Sequence, residues 1–281
     1  MATLACLPGS DVQDSDGSDS PDGPDSPDGY HIRRKVGVPM YLWPGLTTPC
    51  GWEQVVKAAA QVDLLILNPD SGPGKQSIET FSMKADICSG AGQRVLGYVS
   101  SNYMRRDIKD VLRDIEKYRS WYALEGFFID EMYCTDLAGL EYYKQIRKAV
   151  KSDRSKDDTT HANQLLVFNP GVPQVPEAYM PVADVFVVFE GSAQAYVSYQ
   201  ASQYATKHSM SKFWHIVHSC STEDLVMQTL RRFHEREAKW LYMTDLTMPN
   251  PYCSLGSKEV WQRLLSYMSD SSDRAAVKHI S

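Results

Sequence analysis

The chain has 281 residues, 43% of them hydrophobic and 23% charged, with a formal net charge of −6 at pH 7. That is ordinary globular composition, and a core of this size needs neither a disulfide nor a metal to hold it. Seven Asp and no Glu, Lys or Arg fall in residues 1–29, so the rest of the chain carries only +1, which excludes the basic face that nucleic acid or an anionic membrane surface recognises.

In chain order, Met1 to Pro8 is too short for the apolar region of a signal peptide and has no basic flank. This sets the expectation of a cytosolic protein. Residues 9–29 are Ser/Pro/Asp/Gly low complexity with almost nothing to bury, and are expected to be a disordered tail. Their Asp spacing is not that of an EF-hand, and the closing Glu is missing. The folded domain is expected over residues 30–281.

From Tyr30 onward, short apolar runs read as buried strands at Val36–Leu42, Val62–Asn68, Arg94–Ser100, Gly126–Glu131, Gln164–Asn169, Ala183–Glu190, Lys212–Ser219 and Trp240–Asp245. Helical spacing appears between them at Trp52–Val62, Asp107–Tyr122, Leu137–Val150, Thr222–Trp240 behind a Ser221 cap, and Ser257–Met268, with a polar stretch at Gln194–Thr206. The connection Gly171–Pro181 holds three prolines and is expected to be mostly irregular. No apolar run approaches the ~18–20 residues that span a bilayer.

Alternating strands and helices imply a parallel sheet covered by helices. Eight such units in 252 residues predict an α/β fold, a single (β/α)₈ barrel of the TIM type, for which ~250 residues is typical. An open doubly wound sheet is the main rival, and it normally carries a Gly-rich phosphate loop after an early strand. Gly72-Pro-Gly74-Lys75 lacks both the spacing and the Ser or Thr of such a loop.

In a barrel of this kind, chemistry sits at the C-terminal ends of the strands. Those ends deliver Tyr41 and Trp43, Asn68, Tyr98 and Ser100, Asp130 and Glu131, Asn169, Glu190, His215 and His218, and Asp245. Two apolar runs, on strands four and six, each end in carboxylates. Paired carboxylates are the acid, base and nucleophile of most glycoside hydrolases, and a half-buried rim can separate their pKa values. For a lone carboxylate, a helix cap or a salt bridge would be the better explanation.

His215 and His218 are three apart, so on a strand their rings face opposite ways and cannot share a metal. At most one reaches the mouth, and His215 is assigned there. No metal and no cofactor is expected, and no predicted strand ends in a Lys for Schiff-base chemistry. Tyr41, Trp43, Tyr98, Tyr103, Tyr133 and Tyr252 lie on or just after the rim, where aromatic faces can stack on sugar rings. The six cysteines are scattered without a C-x-x-C motif, which predicts free buried thiols, with one or two disulfides an option in a secreted protein.

Eight segments run in order over nearly the whole barrel: Gly37-Val-Pro-Met-Tyr-Leu42, Asn68-Pro-Asp-Ser-Gly-Pro-Gly74, Leu96-Gly-Tyr-Val-Ser-Ser-Asn-Tyr103, Asp114-Ile-Glu-Lys-Tyr-Arg-Ser-Trp121, Gly126-Phe-Phe-Ile-Asp-Glu131, Phe168-Asn-Pro-Gly171, Phe189-Glu190 and Tyr242-Met-Thr-Asp245. Together they resemble the spherulin-4-like family. The resemblance implies a (β/α)₈ fold and an activity on α-1,4-linked N-acetylgalactosamine within galactosaminogalactan, a fungal exopolysaccharide. It implies that the family's carboxylates correspond to Asp130, Glu131 and Glu190, and that relatives are secreted.

The expected function is therefore an endo-acting glycoside hydrolase. Asp130 is the expected nucleophile, Glu190 the general acid/base and Glu131 a supporting carboxylate, with exchange of the first two roles open. Tyr41, Asn68, Tyr98, Asn169, His215, Asp245 and Tyr252 are expected to bind substrate. The partner is a polysaccharide, and the protein is expected to be a monomer that neither binds nucleic acid nor inserts into membranes. The alternative is a carbohydrate-binding or spore-wall barrel without turnover.

Overall fold

The computed structural model describes residues 33–44, 51–152, 163–200, 207–236 and 238–269. The tail expected at residues 1–29 lies outside them. Eight strands form: β1 (Lys35–Met40), β2 (Val62–Leu67), β3 (Arg94–Ser100), β4 (Gly126–Asp130), β5 (Leu165–Phe168), β6 (Val185–Ser192), β7 (Phe213–His218) and β8 (Trp240–Met243). They pair in parallel in chain order, and β8 closes on β1. The architecture is the closed eight-stranded α/β barrel that the alternation predicts.

The helices are α1 (Gly51–Lys57), α2 (Glu79–Gly90), α3 (Ile108–Trp121), α4 (Leu140–Lys151), α5 (Ala193–Ser198), α6 (Glu223–Glu235) and α7 (Lys258–Ser269). α3 shows why the sequence folds this way. Asp107 caps it by accepting the Lys109 N–H at 2.9 Å, and Val111, Ile115 and Tyr118 form its buried stripe. Tyr118 packs on Phe127 of β4, and on the next helix Tyr143 packs on Phe168 of β5. These contacts form the outer core layer, between sheet and helices. Inside the barrel, Trp214 meets Phe128 edge-on, and Phe128 stacks against Tyr98.

Three local features depart from the expected elements. α2 is absent from the expected helices because its apolar residues point both ways: Phe81, Ala85 and Cys88 are buried, while Met83 and Ile87 are about half exposed. It also begins at Ile78 with no side-chain cap. The cap of α6 is Thr222, whose hydroxyl accepts the Leu225 N–H at 3.2 Å, rather than Ser221. The proline-rich connection after β5 contains a 3₁₀ helix at Glu177–Val182, which seats Tyr179, Met180 and Val182 in the core.

A fourth feature positions the site. Val187 of β6 pairs with Trp214 of β7, but the next pair is Phe189 with His215, so Val188 is an extra, bulged residue. Phe186 faces outward against Phe168, and unbroken alternation would put Glu190 on that same outer face. The bulge resets the phase. Phe189 turns outward onto Tyr196 and Tyr199, and Glu190 turns into the barrel mouth.

Among the described residues no helix is long and apolar enough to cross a membrane. Cys88, Cys134 and Cys220 are buried free thiols and Cys253 is an exposed one. Cys6 and Cys50 lie outside the described residues.

Candidate active site

The C-terminal ends of β3, β4, β5 and β6 converge on one hydrogen-bonded cluster. Asn169 follows β5 and links the two strand-end carboxylates. Its Nδ2 donates to Asp130 Oδ1 at 2.8 Å and to Glu190 Oε2 at 2.6 Å, so those oxygens lie no more than 5.4 Å apart, the sum of the two distances. The Tyr98 hydroxyl donates to Asp130 Oδ2 at 2.7 Å, and the Tyr252 hydroxyl to Glu190 Oε1 at 2.6 Å. Tyr41 stands between the two tyrosines, edge-on to each at 5.6 Å between centroids. Asn169, Tyr98 and Tyr252 each direct a donor at one of the two carboxylates, or at both.

The backbone turns sharply just past Asp130. Glu131 has φ of 55°, in the left-handed region that a β-carbon disfavours. The β3–α3 loop holds this turn in place. The Ser101 N–H donates to the Asp130 carbonyl at 2.9 Å, and the Tyr103 N–H to the Glu131 carbonyl at 2.7 Å. The buried Ser101 hydroxyl lies 3.0 and 2.8 Å from the same two carbonyl oxygens. The Ser100 hydroxyl donates to Glu131 Oε2. Asn102, Tyr103 and Met104 are also left-handed, at φ of 46°, 52° and 66°. Strain of this kind persists only where surrounding structure over-determines it, and it clusters at functional sites.

Burial pushes the Asp130 carboxyl up to about 6, with the Glu190 charge adding to the rise, while its hydrogen bonds from Tyr98, the Glu131 N–H and Asn169 oppose it. The Tyr98 and Tyr252 hydroxyls are raised by burial and by the carboxylate each one faces, so both stay protonated donors. Asp130 therefore keeps its carboxyl proton to about pH 6. The folded chain holds this proton more tightly than an unfolded one does. Its contribution to stability is fully present below the ordinary carboxyl value of 3.8 and is lost as pH rises through about 6.

The family model for "Spherulation-specific family 4" matches residues 35–268, the whole barrel. The chain belongs to this family. Spherulin-4 of Physarum polycephalum is 30% identical over 199 residues, covering 67% of this chain and 56% of that protein. The chain thus spans little more than half the length of that curated relative. Among solved structures, Aspergillus clavatus Sph3 in complex with GalNAc superposes with a TM-score of 0.70 at 24% identity, covering 85% of this chain and 98% of that one.

In this member of the family, the residues expected at the site divide into three groups. Asp130, Glu190, Asn169, Tyr98, Tyr252 and Tyr41 come together, with Glu131 adjacent. Asn68 and Asp245 sit at strand ends, but their contacts shape loops. Asn68 Oδ1 accepts the Gly72 N–H at 2.9 Å, and Asp245 Oδ1 accepts the Ser257 N–H at 2.9 Å ahead of α7.

The expectation for His215 is corrected. Its ring lies on the outer face of β7, packed among Tyr196, Tyr199 and Phe233, with Nδ1 2.7 Å from the Tyr196 hydroxyl. Burial, with Arg236 and Arg34 nearby, lowers its pKa to about 3. The spacing argument that separates the two histidines holds, but the ring on the inner face is His218. Trp214 and His218 share a parity, and Trp214 packs inside the barrel against Phe128. Ser100, read from the sequence as a rim residue, holds Glu131, while Ser101, which holds the turn, escapes a reading that weighs carboxylates and aromatics first.

Among the described residues, no group of three or more His, Cys, Asp or Glu is arranged to hold a metal ion.

Proposed function

We propose that this protein is a glycoside hydrolase that cleaves within an α-linked amino-sugar polysaccharide. The observation that carries the reading is the pair Asp130 and Glu190, on β4 and β6 with β5 between them, bridged by Asn169 and each held by its own tyrosine. Family membership and a fold-related Aspergillus protein that holds GalNAc support the sugar class.

Glycosidic cleavage needs one carboxyl protonated and one ionised, and Asp130, raised to about 6, ionises as pH climbs through that value. Three donors converge on Asp130, against two side-chain donors on Glu190. Those donors oppose the burial and the Glu190 charge that raise Asp130, and hold it as the anion that attack requires. Asp130 then attacks the anomeric carbon and forms an ester, while Glu190 gives its proton to the departing glycosidic oxygen. In the second step Glu190 takes a proton from water, the resulting hydroxide attacks the same carbon, and Asp130 leaves as carboxylate. In an α-linked 2-acetamido sugar the acetamido group lies on the same face as the leaving oxygen and cannot attack from behind, so an enzymic nucleophile is needed. Glu131, fixed by Ser100, supports the pair without entering either step.

Incubation with a panel of α- and β-linked amino-sugar polymers tests the reading. Released oligosaccharides are expected from an α-linked amino-sugar polymer. Retention of polymer without release would establish the binding-protein alternative instead.

The raised Asp130 carboxyl predicts a pH profile. As the nucleophile it must be ionised, so kcat/KM is expected to rise as pH climbs through about 6. A rate that does not change across that value would contradict it.

The spacing predicts the stereochemical outcome. Retaining enzymes hold their carboxyl groups ~5–5.5 Å apart, while inverting ones need ~6.5–9.5 Å to admit a water. A shared donor that keeps the nearest oxygens within 5.4 Å favours the retaining range. NMR of the first product formed should show the α anomer, and an initial β anomer would show inversion.

A further inference from the structure

His218 has no part in the steps above. It is the last residue of β7, on the same strand face as Trp214, which packs inside the barrel against Phe128. It is partly buried and stands within reach of the Glu190 charge. Its Nδ1 lies 2.8 Å from the Ser219 hydroxyl. Ser219 is left-handed, with φ of 61°, and the turn is pinned to the segment after β8 by Ser219 N–H to Leu246 O at 2.8 Å and Cys220 N–H to Thr244 O at 3.0 Å. One ring nitrogen is thus tethered by a strained residue. The other, Nε2, has no hydrogen-bond partner among the described residues.

Resting on the glycosidase reading, we infer that His218 is a sugar-binding residue of the mouth, presenting Nε2 to a hydroxyl or acetamido oxygen of the sugar seated against Glu190. Burial lowers its pKa, although Glu190 opposes the shift, so the ring is uncharged at neutral pH. If the Ser219 hydroxyl donates to Nδ1, Nε2–H is a donor. If Ser219 accepts, Nε2 is an acceptor. A sugar hydroxyl can meet either state, and a neutral ring beside Glu190 avoids a salt bridge that would quench the carboxylate.

The test is binding of an N-acetylgalactosamine oligosaccharide, measured calorimetrically in the uncleaving Asp130→Asn background. His218→Ala is expected to weaken binding about tenfold, the worth of one net hydrogen bond. His218→Gln, whose amide can reach where Nε2 lies, is expected to recover most of it. Melting temperatures of both should stay close to the parent, separating lost contact from lost fold. Unchanged binding by His218→Ala would overturn the inference. If the Asp130-intact protein binds but never cleaves the oligosaccharide, the hydrolase reading fails while the His218 result still stands on affinity. If no oligosaccharide of any amino sugar binds the parent, both fall.

Discussion

Replacing Asp130 with Asn, or Glu190 with Gln, is expected to lower turnover of the cleaved polysaccharide by about a thousandfold or more. Each change keeps the shape of the side chain and removes a charge or proton that one chemical step cannot do without. The same changes should leave the barrel intact, and Asp130→Asn should raise its melting temperature near pH 7. With its folded pKa raised to about 6, ionised Asp130 opposes folding at that pH by up to ~3 kcal/mol, and a neutral amide removes the opposition. Loss of activity with gained stability is the signature of a site built for chemistry at the expense of fold. Azide distinguishes the roles: it should restore turnover of an activated glycoside in the variant lacking the nucleophile, with a glycosyl azide of inverted configuration as product. Rescue of Glu190→Gln in that manner would exchange the two assignments. Near wild-type turnover by either variant would remove the pair from the mechanism.

Glu131→Gln should cost much less than either, since the Ser100 hydroxyl can donate to an amide oxygen as it does to the carboxylate.

The fold was legible because a parallel barrel buries its strands on both faces. Runs such as Phe127-Phe-Ile129 and Val185-Phe-Val-Val-Phe189 are apolar throughout and stand out from the amphipathic helices around them. α2 escaped for the converse reason: with Met83 and Ile87 exposed opposite Phe81 and Cys88, it has no clean stripe to detect. The carboxylate pair was legible from strand ends alone, but its geometry was not. Asn169 was expected as a sugar ligand, and the structure makes it the bridge between Asp130 and Glu190. Nothing in the sequence announces the Val188 bulge, since every residue from Val185 to Phe189 is buried and apolar on either phase. The choice between His215 and His218 failed because strand parity has to be anchored by one residue of known facing, and that anchor comes only from a packing partner such as Phe128.

The second large effect is on the fold. Gly126→Ala is expected to abolish the barrel rather than merely weaken it. Gly126 opens β4 between Leu96 of β3 and Leu165 of β5. A β-carbon built there would stand 2.0 Å from the Leu165 carbonyl oxygen and 2.7 Å from its nitrogen. Those are backbone atoms, so no side-chain rotation relieves the contact. The strands could separate only by breaking the 2.7 Å bond from the Leu165 N–H to the Glu125 carbonyl, and with it the register that sets Asp130 beside Asn169. Gly37→Ala offers the comparison. There the added carbon meets the Trp214 ring at 2.4 Å, and a side chain can shift, although Trp214 leans on Phe128 and through it on Tyr98. Overpacking of that kind costs about 1–3 kcal/mol, whereas the Gly126 clash should exceed ~4 kcal/mol, the range where a single change unfolds a marginally stable domain. Circular dichroism and thermal melts should show Gly37→Ala as a folded, less stable barrel with reduced turnover, and Gly126→Ala as a chain without a cooperative transition. A Gly126→Ala protein that melts within a few degrees of the parent would mean that β4 and β5 lie farther apart at this end than their contacts indicate.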